Sequence, residues 1–152
     1  MKFLARLPAI VAALWWGSLS TLGFFVVPML FVHLQPAALA GNLAAKLFTG
    51  QTWISVACGM LLLVVSRPRF EDGDADDAVP RSRLDPTSLA LVIAGLLLAL
   101  LVEFAVTPHI VARDNLKLWH GVGSGMYLAQ WLCAGAVFWR SLGRLLGPAT
   151  RA

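Results

Sequence analysis

"LPAIVAALWWGSLSTLGFFVVPMLFV", residues 7–32, runs for 26 positions without a charged side chain. At 1.5 Å of rise per residue, a helix needs about 20 such positions to cross a hydrocarbon core of ~30 Å. The stretch therefore decides the fold class, because it is a membrane span with length to spare. A secretory signal is the competing reading, since Lys2 and Arg6 supply a basic start and "ALA" at 38–40 resembles a cleavage site. The apolar part of a signal is normally only about 7–15 residues long. The expectation is a retained first helix.

The rest of the chain agrees. Its 152 residues have room for one domain, with 59% hydrophobic and 13% charged residues and a mean hydropathy of +0.76. Soluble domains average about 45–50% apolar and roughly 25% charged, and a core of this size could not hide the excess. A second span follows at 47–66, between Lys46 and Arg67. A third occupies 87–107, opened by Asp85-Pro86-Thr87-Ser88, a helix-start signal. A fourth, 118–139, lies between Lys117 and Arg140. The segment "PAALAGNLAAKLF", 36–48, either lies along the interface or lengthens the second helix. The expected fold is all-α, an integral membrane four-helix bundle that forms a single transmembrane domain over 1–152.

The net charge of +4 does not indicate nucleic acid, because the basic residues stand singly at the ends of apolar runs. Nine of the twelve Lys and Arg flank one side: Lys2, Arg6, Arg67, Arg69, Arg81, Arg83, Arg140, Arg144 and Arg151. By the positive-inside rule both termini are expected to be cytoplasmic, in a bacterial inner membrane. The acidic loop 67–86 reads as a disordered linker. Asp72, Asp74 and Asp76 imitate a calcium loop, yet Asp77 stands where its glycine belongs and Arg83 where its closing glutamate belongs. Cys58 and Cys133 fall inside apolar runs and suggest neither a zinc site nor a redox pair.

Helices in lipid associate through close packing, so small residues mark contact faces. Gly121, Gly125, Ala129 and Cys133 form one four-residue-spaced stripe, and Ala13, Gly17 and Thr21 another. The expectation is packing between spans, with a homodimer seam as the alternative. Pro28 and Pro108 should kink or end the first and third spans. "FVVP" at 25–28 and "FAVTP" at 104–108 are alike, a trace of a duplicated two-helix hairpin. The six tryptophans, Trp15, Trp16, Trp53, Trp119, Trp131 and Trp139, are read as belt or packing residues near span ends.

All three histidines fall on the outer side: His33 ends span one, His109 follows span three and His120 opens span four. Glu103 is the one carboxylate inside a span, six residues before His109 and so about 9 Å deeper. An ionisable group there costs at least ~2.5–3.5 kcal/mol and needs a partner. His33, Glu103, His109, His120 and Gln51 are therefore the candidate ligand pocket, with His33, His120 and Glu103 as candidate metal ligands. Copper, with Met29 and Met126 as soft donors, is one metal the pattern admits. No catalytic residue is assigned.

"GFFVVPMLFVHLQPAALAGNLAAKLF", "VEFAVTPHI" and "LWHGVGSGM" together resemble a small four-span membrane family of unknown function that includes a human transmembrane protein associated with cisplatin resistance. The resemblance implies architecture and membrane location, and no reaction. More distantly, Pro28, Leu30, Phe31, His33, Lys117 and Leu118 are similar to four-span copper-resistance D proteins and to haem-binding protoporphyrinogen oxidases. The histidine those oxidases carry early in span one has no counterpart in "LPAIVAALWWG", 7–17. The expected function is a non-enzymatic membrane protein with a pocket for a metal or small ligand. The alternative is a haem- or porphyrin-handling redox protein. The expected partners are the bilayer and a second copy of the chain or another membrane protein.

Overall fold

The computed structural model describes residues 2–67 and 84–146, with side chains described from residue 6 onwards. The described residues are helical throughout, apart from short connections. The helices are α1 (Lys2–Thr21), α2 (Val27–His33), α3 (Ala37–Val65), α4 (Pro86–Leu101), α5 (Thr107–Val111) and α6 (Leu116–Leu146). Most of the acidic linker, with its imitation calcium loop, lies outside the described residues.

Two five-residue π-turns, Leu22–Val26 and Val102–Val106, join α1 to α2 and α4 to α5 without breaking either rod. Each is followed by a short helix with proline at its second position, Pro28 or Pro108. Proline lacks the N–H that an uninterrupted helix would need there, so the wider turn falls just where the bonding pattern must shift. The "FVVP" and "FAVTP" fragments thus mark the same device in two hairpins, α1–α3 and α4–α6. Segment 37–48 lengthens the second helix, which runs unbroken for 29 residues.

Three rods are long and apolar enough to cross a membrane: Arg6–His33, Ala37–Val65 and Pro86–Val111. The fourth expected span is part of α6, which has ample length at 31 residues but is less apolar. Its first half carries "HGVGSG", 120–125, and its middle carries Gln130. These residues dilute its hydropathy.

The four long helices form a ring in which α1 and α4 each pack against both α3 and α6. Trp15, Leu19, Leu62, Val92, Ala134 and Val137 fill the centre. Trp15 is fully buried, a core residue rather than part of an interfacial belt. Trp16 stacks on Phe138 and leans on Trp131, whereas Trp53 and Trp139 face outward. Leu14, Phe25, Leu97, Phe104 and Leu132 also face outward, as lipid-facing residues should.

The close approaches do not fall on the small stripes that the sequence suggests. A Cβ added at Gly17, Gly121 or Gly125 would meet nothing within 4 Å. Instead, a Cβ at Gly95 would lie 2.6 Å from the Trp15 ring, and one at Gly135 2.9 Å from the Trp16 indole nitrogen. Glycine spacing revealed neither, because the contact depends on where a large indole from another helix lands. Within one chain, no such close approach falls at Gly17, Gly121 or Gly125.

A polar seam runs through the middle of the ring. Gln51 donates to the Ser18 hydroxyl at 3.0 Å, Gln130 donates to the Ser55 hydroxyl at 3.0 Å, and Ser55 donates to the Gln51 carbonyl at 3.0 Å. Gln51, Ser55 and Gln130 are all buried. In a dry interior such groups must be paired, and pairing fixes the relative register of α1, α3 and α6.

At the other end of the α4–α6 pair, Asp85 caps α4, its carboxylate accepting from the Ser88 amide at 3.3 Å. Arg140 donates to the same carboxylate at 2.5 Å, and Arg144 also pairs with it. Burial alone would raise this carboxyl, but hydrogen bonds from Arg140 and Ser88, with the charge of Arg144, hold it far below the usual carboxylate range. A depressed folded pKa adds stability that is complete above about pH 4. That contribution declines as the pH falls below the unfolded value and is gone once the pH has fallen through the folded one. Asp85→Ala should lower stability by about 1–2 kcal/mol through loss of the cap, measured as the unfolding midpoint in detergent. Asp85→Asn, which keeps a capping oxygen, should lose less.

Candidate ligand cavity

The π-turns matter because of what they do to the end of the ring. Beyond them, α2 packs on α3 and α5 packs on α6. Between these two pairs lies a cavity of about 510 Å³. Its walls come from the first π-turn and α2 (Gly23, Phe24, Val27, Phe31), from α3 (Gly41, Ala44, Ala45, Phe48), from Val102, from α5 (Thr107, Ile110, Val111) and from α6 (His120, Gly123, Ser124, Tyr127, Leu128). The lining is mostly apolar with a few polar groups, the usual character of a small-molecule site. Phe24 is 59% exposed and Val111 68%, so the apolar wall continues onto the lipid-facing surface.

Tyr127 holds the first π-turn in place. Its hydroxyl donates to the Leu19 carbonyl at 2.8 Å. In a continuous α-helix that carbonyl would instead accept from the Gly23 amide. The ring can lie this close only because residue 23 is glycine, as a Cβ there would sit 2.6 Å from Tyr127 Cε1. Across the cavity wall, Phe48 meets the same ring edge-on at 5.2 Å. In the second π-turn, Thr107 donates to the Val102 carbonyl at 2.9 Å. Tyr127→Phe should cost about 1–3 kcal/mol, the price of leaving a buried backbone group unpaired, and should loosen the cavity. Thermal unfolding and amide exchange at residues 19–27 would show both effects.

The five residues expected to share a pocket are not brought together. His120 lines the cavity. Glu103 is half-buried in the second π-turn and accepts from the Thr49 hydroxyl at 2.9 Å, so its partner is a threonine rather than a histidine. Gln51 belongs to the interior seam. His109 stacks flat on Trp119 at 4.1 Å and sits 3.5 Å from the Asp114 carboxylate. His33 ends α2 with an exposed side chain. Shared depth along the spans brought these residues together in the sequence reading, but depth says nothing about which way each points around its helix.

Among the described residues no three His, Cys, Asp or Glu side chains gather closely enough to hold a metal ion. A site built from three such side chains is therefore not assembled among the described residues. The residues missed by sequence reasoning are Tyr127, Phe48 and Gly23. The lone tyrosine of the chain was the available signal, since a phenol inside an apolar span needs a hydrogen-bond partner.

No curated protein and no solved structure matches the chain. A family match spans residues 10–117, from α1 to the start of α6, and so takes in both π-turns and the α2, α3 and α5 walls of the cavity. By that match the chain belongs to the family described as domain of unknown function DUF4149.

Proposed function

We propose that the chain is a four-span protein of a bacterial inner membrane, with both termini cytoplasmic, and that its role is non-enzymatic: it binds a small ligand in the cavity between α2, α3, α5 and α6. The cavity carries this reading. It is large, mainly apolar and continuous with the lipid-facing surface. Three rods are long and apolar enough to cross, and α6 is long enough to complete the bundle beside them. The flanking basic residues supply the orientation. The resemblance to a small four-span membrane family of unknown function fits the same architecture. The metal and haem readings gain no support from the geometry, because His120 alone of the three histidines lines the cavity.

Gly41 lines the cavity and an added Cβ there meets nothing within 4 Å, so Gly41→Phe should fill the space without a clash. Native mass spectra of wild type and Gly41→Phe, both released from their own membrane in mild detergent, test the reading. A bound small molecule on wild type that is absent from the variant is the expected result. Identical spectra would contradict it. For orientation, single cysteines in the 67–86 loop and beside Arg113 can be treated with an impermeant thiol reagent on intact cells. Labelling should occur near Arg113 and not in the loop.

A further inference from the structure

We infer that the cavity takes a single-chain amphiphile with an anionic head, a long-chain carboxylate, with His120 and Ser124 hydrogen-bonding the head and the aromatic wall holding the tail; this rests on the ligand-binding reading above. His120 and Ser124 stand one turn apart on α6 and both line the cavity. Neither has a hydrogen-bond partner among the described residues. An imidazole N–H and a hydroxyl can both donate, so the pair suits an oxygen-bearing head. Charge points the same way. Lys117 lies one turn before His120, and Lys46 follows Ala45 of the cavity wall, both exposed. Neither forms an ion pair among the described residues. Of the acidic side chains of this end, Asp114 lies beside His109, and Glu103, which is not among the lining residues, accepts from Thr49. An unneutralised basic rim favours an anion.

Size selects one chain. At roughly 30 Å³ for each water-sized group, the cavity has room for about 17 such groups, enough for one acyl chain with its head and too few for a two-chain phospholipid. Phe24, Phe48, Tyr127 and Leu128 form the tail's surroundings, and the exposed flank at Phe24 lets it enter from the bilayer.

The test is photo-crosslinking in nanodiscs with three diazirine probes: a long-chain carboxylate, the same chain without a head, and an anionic phospholipid. The proteins are wild type, the His120→Leu/Ser124→Ala double variant and Gly41→Phe. The carboxylate probe should label the peptides carrying Phe24 and Tyr127. Labelling should fall at least tenfold in the double variant, whose circular dichroism and unfolding midpoint stay at wild-type values. Equal labelling of wild type and double variant, or equal labelling by the headless chain, would overturn the head assignment. If either result is accompanied by loss of labelling in Gly41→Phe, the cavity still binds a ligand. Stronger labelling by the phospholipid would overturn the single-chain assignment. No cavity labelling by any probe, in wild type as in Gly41→Phe, would remove the ligand-binding reading itself.

Discussion

Gly95→Leu is expected to prevent the bundle from assembling. Gly95 lies on the buried face of α4, where even a single added Cβ would meet the Trp15 ring at 2.6 Å. Trp15 is fully buried, in one cluster with Ala12, Val92 and Val137, so it has little room to move. Overpacking of a well-filled core costs about 1–3 kcal/mol for added methylenes, and a leucine here must displace an indole as well. The comparison that gives the result meaning is Gly121→Leu and Gly125→Leu. Both positions are exposed and open, so each should stay within about 0.5 kcal/mol of wild type. Size-exclusion profiles and unfolding midpoints in detergent distinguish the two classes. If the Gly121 and Gly125 changes proved as damaging as Gly95→Leu, those glycines would lie in a contact between copies of the chain.

The second large effect is expected at Ser55. Its hydroxyl receives the Gln130 amide at 3.0 Å and donates to the Gln51 carbonyl, with no exposure to solvent. Ser55→Val removes both bonds, together with a longer one from the Gln51 side-chain amide at 3.5 Å. Gln130 is then left with a buried donor unpaired, at about 1–3 kcal/mol, and α3 loses its polar tie to α6. Gln51 keeps its bond to Ser18, so the α1–α3 tie should survive. Ser55→Val with Gln130→Leu removes the orphan and should recover part of the loss. The double-mutant cycle in detergent measures that coupling. Additive losses would mean that the two residues do not act as a pair.

The two π-turns show why part of this fold was legible in the sequence and part was not. Uncharged length pointed to the three helices long and apolar enough to cross a membrane, and Asp85-Pro86-Thr87-Ser88 marked the start of α4 because capping is a local event. Pro28 and Pro108 flagged irregular helix ends for the same local reason. The cavity is not local. It arises because α2 and α5 lean on different long helices after their π-turns, and no residue spacing encodes that. Likewise, Glu103 announced its need for a partner, but finding Thr49 requires knowing how α3 and α4 pack. The histidines were grouped by depth, whereas rotation about each helix axis separates them. Gly23 looked like one more small residue until Tyr127 was placed against it.

The most direct measurement is a structure determined from a lipidic mesophase containing the native lipids. The account predicts an elongated non-protein density between Phe24, Phe48 and Tyr127, ending within hydrogen-bonding distance of His120 and Ser124. A cavity closed by Phe24 and Phe31 folding inward, with no such density, would contradict it.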